Sequence, residues 1–109
     1  MIEAQTKMVE VEQSGAVFSI RLNRPDALNA FRPQMLQEIT RLMALIEEDM
    51  EVGVVLLEGN GKAFSAGVDL KVLQGIDPQG GKVGDVFDEP ARQAYMAIRQ
   101  SRCPVIAKV

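Results

Sequence analysis

Val52-Gly53-Val54-Val55-Leu56-Leu57, then Glu58-Gly59-Asn60-Gly61, then Lys62-Ala63-Phe64-Ser65-Ala66-Gly67-Val68-Asp69-Leu70-Lys71 is the stretch on which the fold of this chain turns. Its first six residues form a continuous β-branched and apolar run, the composition of a strand covered on both faces and so of a parallel sheet. Glu58 to Gly61 is turn chemistry. The residues after it lead into a short helix expected over about Asp69 to Leu73. Peptide N–H groups at a helix start have no internal partner and carry the positive end of the helix dipole. A negatively charged oxygen placed there is therefore stabilised without a charged side chain. The pattern points to an oxyanion site made of backbone.

Working outward, Met8 to Gln13 alternate in strand fashion. After the Ser14-Gly15 turn, Ala16 to Leu22 alternate again, with Phe18, Ile20 and Leu22 on one side. This predicts a β-hairpin. Pro25 and Asp26 open a loop that ends near Arg32. From Pro33 to about Asp49, Met35, Ile39, Leu42, Met43 and Ile46 recur at helical spacing, with Pro33 suited to the first turn. Beyond the central stretch, Gln74 to Gly84 holds Gly75, Pro78, Gly80, Gly81 and Gly84, the composition of a mobile surface loop. A second helix is expected from about Val86 to Ser101, with Ala91, Ala94, Tyr95 and Ile98 on one face, leading through Pro104 to a final strand. The βαβ order predicts an α/β layered fold.

The 109 residues carry 12 basic and 15 acidic side chains, a net charge of −3, with no basic run. That balance excludes an electrostatic case for nucleic acid or an anionic membrane. No apolar run approaches the roughly 20 residues that cross a bilayer, and Met1 to Lys7 lack the character of a secretory signal or transit peptide. A cytoplasmic location is the resulting expectation. A single cysteine, Cys103, excludes an internal disulfide, and with no histidine present a zinc site is not expected. Cys103 reads as a small core or strand-edge residue, and the six methionines mostly as core filler.

Three motif readings fail on their own residues. Gly61-Lys62 is not a P-loop, because Leu56 stands where the first glycine belongs and Ala63 where Ser or Thr would hold magnesium. Ala63-Phe64-Ser65-Ala66-Gly67 is not a nucleophile elbow: its first position is Ala63, and no histidine exists to activate Ser65, which reads as structural. The acids Glu47-Glu48-Asp49 and Asp88-Glu89 read as solvated helix-end charges.

Leu22-Asn23-Arg24-Pro25-Asp26-Ala27-Leu28-Asn29-Ala30 together with the Gly59–Lys71 stretch closely resembles the enoyl-CoA hydratase/isomerase family, the crotonase superfamily. Cys103-Pro104-Val105-Ile106-Ala107-Lys108-Val109 resembles that family's next strand, which normally runs into Asn-Gly, with Lys108 in place of the usual alanine. The resemblance implies an α/β crotonase-like (ClpP/crotonase) spiral of ββα units. It also implies that residues 1–109 are the N-terminal part of one acyl-CoA-binding domain, cut before its second oxyanion-hole segment; a complete small domain is the alternative. As such a piece the chain is expected to be inactive and to aggregate through its last strand and apolar helix faces.

For function, the resemblance implies an acyl-CoA thioester enzyme, an enoyl-CoA hydratase or isomerase. It would stabilise an enolate-type oxyanion on the thioester carbonyl with the Val68 N–H and a second amide beyond Val109. Gly67 would allow close approach, and Asp69 would cap or brace the helix start. Contacts to acyl-CoA would come from Arg24, Ala27, Leu28, Ala66, Gly67, Val68, Asp69 and Leu70. Arg24 is a candidate for the nucleotide phosphate, with a solvated surface arginine as the alternative, and Lys62 is a weaker candidate. No permanently bound cofactor or metal is implied; coenzyme A enters as part of the substrate, and the full-length protein is expected as a homotrimer or hexamer. Asn29-Ala30-Phe31-Arg32-Pro33 resembles the dihydroxynaphthoyl-CoA synthase branch, but Ser65 to Asp69 follows the ordinary hydratases and isomerases and lies at the reactive carbonyl, so it decides. The rival reading is a catalytically silent crotonase-like interaction module or an inactive truncated product. The acid/base carboxylates and the acyl-chain specificity are expected to reside beyond Val109.

Overall fold

The computed structural model describes residues 2–69 and 84–109. Among them a four-stranded sheet runs in the order β1 (Val9–Ser14), β2 (Val17–Leu22), β3 (Val54–Gly59), β4 (Val105–Ala107). The hairpin is as expected, with β1 antiparallel to β2 and Ser14 opposite Val17 across the two-residue turn. β2 to β3 and β3 to β4 are both parallel, so each needs a crossover, and the two helices supply them. α1 (Pro33–Glu48) connects β2 to β3, and α2 (Gly84–Arg99) precedes β4. The expected short helix after Asp69 and the glycine-rich stretch up to residue 83 lie outside the described residues.

Register decides which side chains meet the helices. Leu22 lies opposite Val9, Phe18 opposite Val55, Ile20 opposite Leu57 and Val55 opposite Val105, so these residues share one face of the sheet. Onto it α1 lays its apolar stripe of Met35, Ile39, Leu42, Met43 and Ile46, all buried. Ala94 of α2 and Cys103 join the same core. Cys103 Sγ sits 3.4 Å from the Val52 carbonyl, as a small core residue would.

Among the described residues one face of β3 is covered by the helices and the other only in part. Val55 is fully buried, whereas Val54 and Leu56, which point the other way, are only half-buried, and Ile106 of β4 is exposed. Among the described residues that opposite face carries charge: Arg21 pairs with Glu12 at 2.7 Å and with Glu58 at 3.4 Å. A continuous apolar run cannot by itself reveal whether a second layer is present, because both faces of the strand read alike. Of the methionines expected mostly to fill the core, Met35 and Met43 are buried and Met8 packs against that core, while Met50 is exposed.

One buried charge ties the chain's start to this core. Glu38 lies on the inner half of α1 and is 6% exposed. Burial pushes its carboxyl up, but hydrogen bonds from the Arg41 side chain and the Gln5 amide, with the Arg41 charge, outweigh that and hold it below its ordinary value. A depressed folded-state pKa means the unfolded chain binds more protons, so this contribution is fully present above the ordinary carboxylate range and is lost as pH falls through the lowered folded value. Glu38→Gln is expected to lower stability at neutral pH by about 1.5–3 kcal/mol, the scale of a hydrogen bond to a charged group. Urea unfolding checks it: the gap between wild type and variant should narrow in acid, and a gap that widens there would contradict the assignment.

Candidate functional site

The site is a seam between the two loops that leave neighbouring parallel strands. β2 ends at Leu22 and β3 at Gly59, paired across the sheet, so the segments after them start side by side. The first begins with a single 3-10 turn, Pro25–Ala27, after which Leu28 and Asn29 both take left-handed backbone angles, φ 52° and 55°. Asparagine accepts that conformation more readily than most residues. These two residues reverse the chain so that residues 28–31 run alongside residues 66–69.

Hydrogen bonds then close the seam one residue at a time. The Ala66 N–H donates to the Leu28 carbonyl at 2.9 Å, the Phe31 N–H to the Gly67 carbonyl at 2.6 Å, and the Asp69 N–H to the Phe31 carbonyl at 2.9 Å. Phe31 and Val68 thereby form a parallel bridge. In such a bridge the residue flanked by the two bonds, here Val68, turns its own N–H and carbonyl to the opposite side. Val68 is 43% exposed, and no hydrogen bond within the described residues uses its N–H. Gly67 adopts φ +100°, which only glycine takes without strain, and the space where a β-carbon would stand is open.

Asp69 is held from two sides. It is 7% exposed; Arg24 Nη1 lies 3.0 Å from its Oδ2, and Arg32 Nε lies 4.0 Å from the same oxygen. Arg24 Nη1 also donates to the Ala30 carbonyl at 2.7 Å. Arg24 is therefore not a solvated surface side chain: its guanidinium is largely buried within the seam, linking the first loop to the end of the second. Lys62 is exposed, Ala27 lies in the 3-10 turn and Leu28 is 48% exposed at the loop's outer side. Leu70 lies outside the described residues.

Two residues to which the motifs assign no chemistry are central to the geometry. Asn29 is fully buried, and Ser65 bonds to it. The sequence carries a signal for Asn29, since an asparagine after a turn of Pro and Asp is a natural left-handed residue, but it does not say which groups that residue bonds. Beside the seam, an apolar cavity of about 280 Å³ opens between the helices and the sheet, its wall including Phe31, Leu36, Leu57, Phe64, Ala94 and Tyr95. Among the described residues no cluster of side chains suits a metal ion, and no helix is long and apolar enough to cross a membrane.

Comparison with known proteins places these features in a family context. Residues 12–109 match the family model described as enoyl-CoA hydratase/isomerase. The chain is 36% identical to a probable enoyl-CoA hydratase of Rhizobium meliloti over 91% of its own length and 37% of the relative's. It is 35% identical to the mitochondrial enoyl-CoA hydratase of Pongo abelii over 89% and 32% of the two lengths. The chain thus spans about a third of the length of these curated relatives. A crystal structure of an enoyl-CoA hydratase/carnithine racemase from Magnetospirillum magneticum superposes with a TM-score of 0.84 at 28% identity, covering 95% of this chain and 39% of that one.

Proposed function

Since this chain belongs to the enoyl-CoA hydratase/isomerase family and has its crotonase-like fold, we propose that the protein carrying it binds an acyl-CoA thioester and hydrates or isomerises its acyl chain, with the Val68 N–H polarising the thioester carbonyl. The observation that carries the reading is the bridge between Phe31 and Val68. It commits the Gly67 carbonyl and the Asp69 N–H to one side and leaves the Val68 N–H directed to the other, at an exposed position with open space at Gly67.

A backbone donor suits this chemistry because enolate formation moves negative charge onto the carbonyl oxygen. A preorganised N–H stabilises that charge more in the transition state than in the ground state. A rigid seam keeps the donor aimed without reorganisation. The left-handed Gly67 lets the thioester approach without meeting a side chain. Arg24 and Arg32, gathered on Asp69, serve to hold the end of the donor segment, while Ala27, Leu28 and Ala66 supply contacts to the coenzyme A portion. The apolar cavity walled by Phe31 offers the acyl chain a surface away from water. The second amide and the carboxylates that move protons belong, in this reading, to residues beyond Val109, in a homotrimeric or hexameric assembly.

Titrating the full-length protein with a nonhydrolysable acyl-CoA analogue tests the reading. Saturable binding in the micromolar range is the expected result, followed by turnover of an enoyl-CoA. No binding at millimolar analogue, by a protein that melts cooperatively, would overturn it in favour of a silent interaction module.

A further inference from the structure

We propose that Asn29, acting through Ser65, is the positioning residue that aims the Val68 amide, an inference that rests on the acyl-CoA reading above. Every polar atom of Asn29 is engaged, and its partners belong to both loops. Its N–H donates to the Arg24 carbonyl at 2.8 Å, and its Oδ1 accepts the Arg24 N–H at 2.7 Å. Its Nδ2 donates to the Asn60 and Ala63 carbonyls, both at 2.8 Å. Its carbonyl accepts the Ser65 hydroxyl at 2.8 Å, and Ser65 Oγ in turn accepts the Gly67 N–H at 3.1 Å.

The last of these bonds reaches the peptide immediately before the proposed donor. The Gly67–Val68 peptide, which contains the Val68 N–H, is held at its carbonyl by the Phe31 N–H, and the Ala66–Gly67 peptide before it is held at its N–H by Ser65, so the two sides of the unrestrained Gly67 are fixed by Phe31 and by the Asn29–Ser65 link. A glycine at φ +100° has no side chain to restrain it. The restraint has to come from hydrogen bonds. Asn29 is also fully buried, so its amide cannot exchange these partners for water, and a lost bond leaves the Asn60 or Ala63 carbonyl unsatisfied.

Other residue types at position 29 cannot do the same. A carboxylate would keep the acceptor toward the Arg24 amide but would set an acceptor against the Asn60 and Ala63 carbonyls. Serine in place of Asn29 is too short to reach both loops. Ser65 is the thinner link, with one hydroxyl passing the position of Asn29 on to Gly67, and it can be removed with less risk to folding.

The test measures kcat and KM of the full-length enzyme and, by infrared difference spectroscopy, the stretch of a carbonyl-13C-labelled acyl-CoA bound to Ser65→Ala, Ser65→Thr and Asn29→Asp. Ser65→Ala is expected to lower kcat roughly 10-fold or more, the scale of a sub-ångström misplacement, with KM nearly unchanged. The bound carbonyl stretch should move back toward its free-solution frequency, and Ser65→Thr, which keeps the hydroxyl, should recover most of both. Asn29→Asp should show the larger loss; if it does not fold, Ser65→Ala decides alone. A folded Ser65→Ala with wild-type kcat and stretch overturns the proposal, as does a loss of kcat with the stretch unmoved. Wild-type protein that binds no thioester overturns the acyl-CoA reading itself, and the proposal with it.

Discussion

On the acyl-CoA reading proposed above, Val68→Pro in the protein carrying this chain is expected to lower kcat by about 10²–10³, because it removes the backbone donor assigned to the developing oxyanion. Proline lacks the N–H, and that N–H makes no hydrogen bond within the described residues, so the substitution removes no hydrogen bond from the seam, while fixing φ at residue 68 and restricting Gly67 before it. The valine side chain matters less, being 43% exposed. Val68→Ala, which keeps the amide, should therefore stay within about threefold of wild type, the surface-substitution regime. Steady-state kinetics on an enoyl-CoA substrate separates the two. A folded Val68→Pro enzyme with unchanged kcat would remove Val68 from the mechanism.

Gly59→Ala carries the largest expected cost to the fold. Gly59 closes β3 at the point where the second loop folds back across it. An added β-carbon would stand 2.5 Å from the Phe64 carbonyl oxygen, 2.6 Å from that of Ala63 and 2.7 Å from the Phe64 α-carbon. All three are backbone atoms, so no rotamer change relieves the contact. The loop must move, and with it the Ala63 carbonyl that Asn29 holds at 2.8 Å. A destabilisation of about 3 kcal/mol or more is expected, at the upper end of overpacking costs, together with loss of activity beyond what lower stability explains. Chemical unfolding of the full-length protein measures the first. A stability within about 0.5 kcal/mol of wild type, the range of neutral surface changes, would show that the loop is less tightly seated on β3.

The two predictions meet in one feature of the proposed site: it is made of main chain. Val68 contributes an amide, Gly59 an absent side chain, and Asn29 and Ser65 the hydrogen bonds that hold the backbone between them. Substitutions that alter backbone geometry should thus outweigh those that alter exposed charge, such as changes to Lys62.

Much of this fold is legible in the amino-acid sequence alone. The alternation of β1 and β2, the 3.6-residue stripe of Met35, Ile39, Leu42, Met43 and Ile46, and the apolar run of β3 are local signals, each set by which side chains repeat at which interval, and each element forms where its pattern lies. The two motifs around Asn29 and Val68 are also visible as motifs, and the family they resemble is the one to which the chain belongs. Their order in sequence does not reveal that they lie side by side. That follows from the parallel pairing of β2 with β3, which sets Leu22 beside Gly59 and starts the two loops together.

What only tertiary structure decided is where polar groups find partners. Arg24 can be read from sequence as a phosphate ligand or a solvated side chain, and its place against Asp69, far along the chain, depends on the loops being zipped together. Glu38 looks like any helix carboxylate until Gln5 and Arg41 close over it. Asn29 looks like a turn residue until it is buried among the amides and carbonyls of both loops. Hydrophobic periodicity is written along the chain because burial is non-directional and depends only on which face a residue takes. Hydrogen bonds and ion pairs are directional and short, so their partners are known only once distant segments have been brought within about 3 Å of one another.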